Sequence, residues 1–229
     1  ENLRRDFACM SFVGTRGSSF EQGLQAAAKA VHPDQTGGTL EEAQDINAPN
    51  YGLLREDART GFIFVTDEND CSHSGDTIAQ DAQANRCGEM NCYFPTSDDD
   101  QSPLMATDKL ASKLRANLAN SKGVDEVAPN EVVVASLNGR YRRFRQEVPK
   151  EGGMPQCKRE DLQRLRDGLQ VCESELGEMK SGDRYYDFLT NFSETVPSME
   201  NVASAKEAES AMCSGEFESF LRRVGDAMR

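Results

Sequence analysis

The chain is poor in the groups that many catalytic sites require. It has two histidines among 229 residues, which leaves little for a Ser-His-Asp relay. It contains no G-x-S-x-G elbow and no H-E-x-x-H, so serine-hydrolase and zinc-protease readings have no motif to rest on. A Walker A sequence and G-x-G-x-x-G are both missing, which leaves a nucleotide site without support beyond element rhythm. No apolar run approaches the roughly 18 residues needed to span a bilayer. Positive charge is also scarce: 26 Lys and Arg stand against 39 Asp and Glu, giving a net charge of −13 and a pI near 4.7. That balance argues against nucleic acid or an anionic membrane surface as partners and suits cations, basic ligands or plain solubility. The sequence opens at Glu1 with neither an initiator Met nor a signal peptide, and reads as processed, truncated or a fragment.

What is present describes a polar chain with a modest core, 37% hydrophobic with mean hydropathy −0.66. Its length suits one α/β domain with insertions, or two small domains. Seven cysteines (Cys9, Cys71, Cys87, Cys92, Cys157, Cys172 and Cys213) are spread along it without C-x-x-C knuckles. We expect an oxidising, exported setting with up to three disulfides, the odd thiol finding its partner in another segment or chain. Cys71, His73, Cys87 and Cys92 form a rival zinc-ligand set, though C-x-H followed by C-x₄-C is irregular and disulfides explain it as well. Asn191-Phe192-Ser193 has the N-glycosylation pattern, which matters only in a eukaryotic secretory pathway.

The stretch Thr60–Asp70, TGFIFVTDEND, organises the rest. Phe62 to Val65 are continuously apolar, as in a strand buried on both faces. Thr66, Asp67, Glu68, Asn69 and Asp70 then place oxygen donors at its carboxyl end, where open α/β sheets bind ligands. Hard cations such as Mg²⁺ and Ca²⁺ prefer such donors.

Along the chain, Phe20, Leu24, Ala27, Ala28 and Val31 predict a helix capped by Ser18 or Ser19 and ending before Pro33. Residues 33–50 read as a loop. Ser102-Pro103 opens a helix carrying Leu110, Leu114 and Leu118, and EVVVASL (131–137) is a second buried strand. Leu162, Leu165, Leu169, Cys172, Leu176 and Met179 repeat at helical spacing and predict one core helix. Residues 184–192 form a short helix, and Ser214 caps a last one turning Phe217, Phe220, Leu221 and Val224 inward. The basic run Arg140–Arg145 reads as a solvated loop.

Four segments in order, FACMSFVGTRGSSFEQGLQAAAKAV, NAPNYGLLREDARTGFIFVTDENDCS, CESELGEMKSGDRYYDFL and MCSGEFESFLRRVGDAM, resemble the von Willebrand factor A-type domain of bacterial secreted or surface lipoproteins. The resemblance implies a single Rossmann-like, doubly wound, mostly parallel α/β sheet over 1–229, with disulfide-pinned insertions at about 75–103 and 138–168. It also implies a metal-ion-dependent adhesion site for Mg²⁺ or Ca²⁺. Asp67 matches the family's third-loop Asp and Glu21 the second-loop ligand in its integrin β-type form; Ser18, or Thr15 nearby, matches the Thr used elsewhere. The family's first strand and D-x-S-x-S loop have no counterpart upstream of these segments, and are expected on a missing N-terminal segment or companion chain. The literal pattern recurs at Asp70-Cys71-Ser72-His73-Ser74, which we read as coincidence because Asp67 already holds the strand end. The function implied is extracellular or cell-surface adhesion rather than catalysis, a protein ligand's acidic side chain completing the cation shell. The alternative is a disulfide-stapled binding module with a vestigial metal site.

Overall fold

The computed structural model describes residues 20–40, 44–56, 58–73, 88–93, 104–128, 131–139, 150–151, 154–155, 170–174, 177–194 and 218–229. Helices Gly23–Ala30 (α1) and Pro33–Thr36 (α2) precede strand Thr60–Val65 (β1). A 3₁₀ segment spans Gly88–Tyr93, followed by helix Thr107–Lys122 (α3) and strand Val132–Leu137 (β2). Two short antiparallel pairs come next: Lys150–Glu151 (β3) with Met154–Pro155 (β4), and Gln170–Ser174 (β5) with Gly177–Lys180 (β6). Helices Asp183–Glu194 (α4) and Glu218–Ala227 (α5) complete the described elements.

The architecture is mixed α/β. β1 and β2 pair in parallel, in register from Thr60 opposite Val132 to Val65 opposite Leu137. Parallel strands need a long crossover, and the connection here carries α3. Side chains alternate across the pair. Phe64, Val132 and Val134 join Leu24, Leu110, Leu114, Leu118, Phe188 and Phe192 in the main core, so α1, α3 and α4 cover one face. Val133, Ala135 and Leu137 meet Phe220 and Val224 of α5 on the other. The Phe64 ring lies 5.4 Å from Tyr185, tilted, and 5.7 Å from Phe188, edge-on, the geometry aromatic quadrupoles favour. Among the described residues no helix is long and apolar enough to cross a membrane.

The leucine stripe of α3 is buried as its spacing predicts. Other expectations need correction. Among the described residues the second face of β1 is covered only at its start, where Gly61 lies against Met228, while Ile63 and Val65 are 46% and 63% exposed and α5 sits over β2. Residues 170–174 and 177–180 pair as antiparallel strands rather than forming the end of a core helix. Gly177 is a poor helix interior residue, and the hairpin's far end must run extended to reach the ends of β1 and β2. Leu221 is 56% exposed on α5, off the Phe220–Val224 stripe. The loop after Val31 opens with α2, Pro33 at its first turn and His32 capping it, Nδ1 accepting the Asp34 N–H at 3.2 Å. α3 starts at Thr107, because Leu104 bridges His73 and the Met105 N–H bonds the Ser72 carbonyl at 2.9 Å. Ser214, Phe217, the 140–145 run and residues 161–169 lie outside the described residues.

The start of α1 holds the main surprise. Its N-cap residue, Gln22, makes no side-chain cap bond. The free helical N–H groups are met instead from a distant loop. Asp70 Oδ1 accepts from Leu24 N at 3.1 Å, and Ser72 Oγ accepts from Gln25 N at 3.0 Å. The expected Ser18 and Ser19 lie outside the described residues. Ser72 also donates from its amide and hydroxyl to Asp70, at 3.0 and 2.8 Å. Arg184 of α4 reaches Asp70 Oδ2 with Nε and Nη2 at 3.4 and 3.3 Å, and donates from Nη2 to the Met105 carbonyl at 2.7 Å. Asp70 is fully buried and Arg184 nearly so. Removing one member of a buried pair leaves the other charged and unmatched. Arg184→Met should therefore cost about 3 kcal/mol in urea unfolding, and adding Asp70→Asn should restore part of that loss.

Candidate functional site

The carboxyl end of β1 gathers the acidic side chains. The ladder continues one step beyond the strand, Thr66 N–H bonding the Leu137 carbonyl at 3.1 Å. The chain then turns, fixed by Thr66 Oγ, which accepts the Glu68 N–H at 3.2 Å. The same hydroxyl has one proton to give, and Glu21 Oε2 at 3.1 Å and the Glu68 carbonyl at 3.2 Å are both in reach. Glu21 is held here by its backbone too, its carbonyl accepting the Cys71 N–H at 2.5 Å. Residues 45 positions apart thus meet through one hydroxyl. Asp67 follows directly and is exposed.

The hairpin closes the other side of this edge. The Lys180 N–H bonds the Asp67 carbonyl at 2.8 Å, and the Gly182 N–H bonds the Gly139 carbonyl at 3.3 Å. The Lys180–Gly182 segment is so bonded to the ends of both strands, with Gly139 and Ser181 in a parallel bridge. Gly139 has no alternative, because a Cβ there would overlap the Lys180 carbonyl. Lys180 Nζ then pairs with Glu68 Oε1 at 2.5 Å. Of the carboxylates around Glu21, Glu68 is matched by Lys180 and Asp70 by Arg184.

This crowding shows in the titration of two groups. Partial burial pushes the Glu21 carboxyl above its ordinary value, and the charges of Asp67, Glu68 and Asp70 add to it against the opposing Thr66 bond. Burial likewise pushes the Tyr185 phenol upward, helped by Asp70 and Glu21. Tyr185 is therefore a neutral hydroxyl, bonded to Thr66 and lying against the start of α1. Gly23 makes room for it: a Cβ there would collide with the phenol oxygen.

Glu21 and Asp67 both lie at the carboxyl end of β1, Glu21 bonded to Thr66 and within reach of the Asp67 charge. Ser18 and Thr15 lie outside the described residues. Among the described residues no group of three Asp, Glu, His or Cys side chains could hold a metal. The available donors are two carboxylates and the Thr66 hydroxyl, hard oxygens suited to Mg²⁺ or Ca²⁺ but fewer than either ion's usual shell. Asp70 and Ser72 of the literal D-x-S-x-S are turned inward and spent on α1 and Arg184. Cys71 and Cys92 form a disulfide, their Cα atoms 4.9 Å apart, so a zinc site on that set would need two thiolates this bond consumes. Cys87 lies outside the described residues, and His73 Nδ1 lies 2.9 Å from the Cys71 carbonyl. Asn191 of the glycosylation pattern sits in α4, its amide donating to Thr107 Oγ1 at 2.9 Å.

The sequence offered Thr66 as one of the oxygen donors after β1 but gave it no bridging role to Glu21. Lys180, Arg184 and Tyr185 join the site only once α4 and the hairpin are in place. No protein-family model, curated protein or solved structure matches the chain.

Glu21 leads to a pH prediction. A carboxyl raised in the folded state binds its proton more readily there than in the unfolded chain. Its charged form therefore destabilises the fold above the raised value, and this cost fades as pH falls towards the ordinary 4.5. Glu21→Gln keeps an acceptor for Thr66 without the charge. Thermal unfolding should show Glu21→Gln melting above the parent at pH 7, with the gap closing towards pH 4.5.

Proposed function

We propose that this chain is an adhesion or protein–protein interaction module of the exported or cell-surface kind, built as a doubly wound, Rossmann-like domain of von Willebrand factor A type. In this reading the carboxyl edge of β1 takes Mg²⁺ or Ca²⁺ on Asp67 and Glu21, with the Thr66 hydroxyl between them. Ser18 or Thr15 adds a hydroxyl ligand, and water or a further segment or companion chain supplies others. A protein ligand's acidic side chain completes the shell, which makes the site a metal-dependent clasp and not a catalytic centre.

The observation that carries the reading is the bond from Thr66 to Glu21 at 3.1 Å, which joins the second-loop and third-loop candidates at one sheet edge. Glu21 and Asp67 repel each other there, and a divalent cation would relieve that repulsion. Glu68 and Asp70 are neutralised by internal cations, which leaves Glu21 and Asp67 as the carboxylates free to share one. A disulfide-stapled module with no working metal site is the second reading, favoured by the Cys71–Cys92 bridge that fixes the 88–93 segment against this edge.

Calorimetric titration with Mg²⁺ separates them. The parent chain should show saturable binding that weakens by about tenfold or more in Asp67→Ala. Equal affinity in the two would remove the cation assignment and leave the second reading.

A further inference from the structure

At the opposite end of β1 lies a cavity of about 300 Å³, remote from the acidic edge. Its walls come from Ala27 of α1 and Val31 just after it, Leu53 of the loop before β1, and Phe62 of β1, with Arg55 and Arg59 also lining it. The volume is at the lower end of small-molecule pockets, and the lining has their usual form, mostly apolar with few charged groups.

The two guanidiniums are the distinctive feature. With 39 Asp and Glu against 26 Lys and Arg, a carboxylate partner is easily found for an arginine in this chain. Yet among the described residues Arg55 has no side-chain hydrogen bond or ion pair. Arg59 makes one bond, from Nη1 to the Ala227 carbonyl at the end of α5, at 2.7 Å. That bond fixes the Arg59 guanidinium without neutralising it. The end of α1 does turn carbonyls towards this region, which opposes an anion. Asn50 covers one of them, its Nδ2 donating to the Ala30 carbonyl at 2.9 Å. The favourable place for a negative group is therefore over the two arginines, and the favourable place for an apolar body is against Ala27, Val31 and Phe62. Leu53 stands 55% exposed, an apolar side chain available to close on such a body.

We propose that this cavity binds a small apolar molecule carrying one anionic group, a carboxylate or sulfonate, held by Arg55 and Arg59. The site is separate from the Glu21–Asp67 edge and would exist whether or not that edge takes a cation.

The test uses the whole chain and two probes that share a ring system, anilinonaphthalene sulfonate and its uncharged counterpart phenylnaphthylamine. Fluorescence titration should give saturable one-to-one binding of the sulfonate. The uncharged probe should bind about tenfold more weakly, and so should the sulfonate to Arg55→Glu. Arg55 is exposed and makes no side-chain bond among the described residues, so its reversal should leave the fold intact, as an unchanged thermal melt would show. Amide shifts should map the sulfonate to Ala27, Val31 and Gly61. Absence of saturable binding, equal affinity for the two probes, equal affinity in Arg55→Glu, or shifts centred on Glu21 and Asp67 would each overturn the proposal.

Discussion

The buried Asp70 carboxylate is the constraint on which the rest of the molecule depends. Its two oxygens accept from the start of α1, from both donors of Ser72 and from Arg184 of α4. Arg184 in turn holds the Met105 carbonyl just ahead of α3. A buried charge that lost these partners would cost several kcal/mol, so three helices are tied to one loop with little freedom. Asn69 extends the knot, accepting from the Arg184 N–H at 2.9 Å and donating to the Cys92 carbonyl at 2.8 Å. The Cys71–Cys92 bridge then clamps the same loop covalently.

That anchoring sets up the acidic edge. Because Asp70 fixes where α1 begins, Glu21 is delivered two residues ahead of the helix, beside Thr66. The edge then sorts its carboxylates. Asp70 and Glu68 have internal cations and serve structure, whereas among the described residues Glu21 and Asp67 lie within reach of each other's charge without one. Stability gains nothing from that second pair, since the charged Glu21 works against the fold at neutral pH. Locally unfavourable groups held in place by a rigid surround are a common mark of a binding surface.

β1 is thus polarised along its length. Its carboxyl end faces negative charge and its amino end faces two arginines beside an apolar hollow.

The sequence by itself determined the elements whose periodicity is strong and local: the strands 60–65 and 132–137, the α3 stripe, and the short helix containing Tyr185 and Phe188. The apolar strand ending in carboxylates also pointed to a sheet edge at Asp67, whereas Glu21 came only from the family resemblance. Tertiary structure decided the rest. Residues 170–174 and 177–180 carry an apolar spacing that suits a helix, and they became paired strands because their far end must meet Asp67 and Gly139. The D-x-S stretch at Asp70–Ser72 looked accidental, since its partners, the first amides of α1 and the Arg184 guanidinium, are more than forty positions away. Periodicity reports which face of a segment is apolar. It carries no information about which distant polar group a buried carboxylate will find, and that choice is made only when the helices pack.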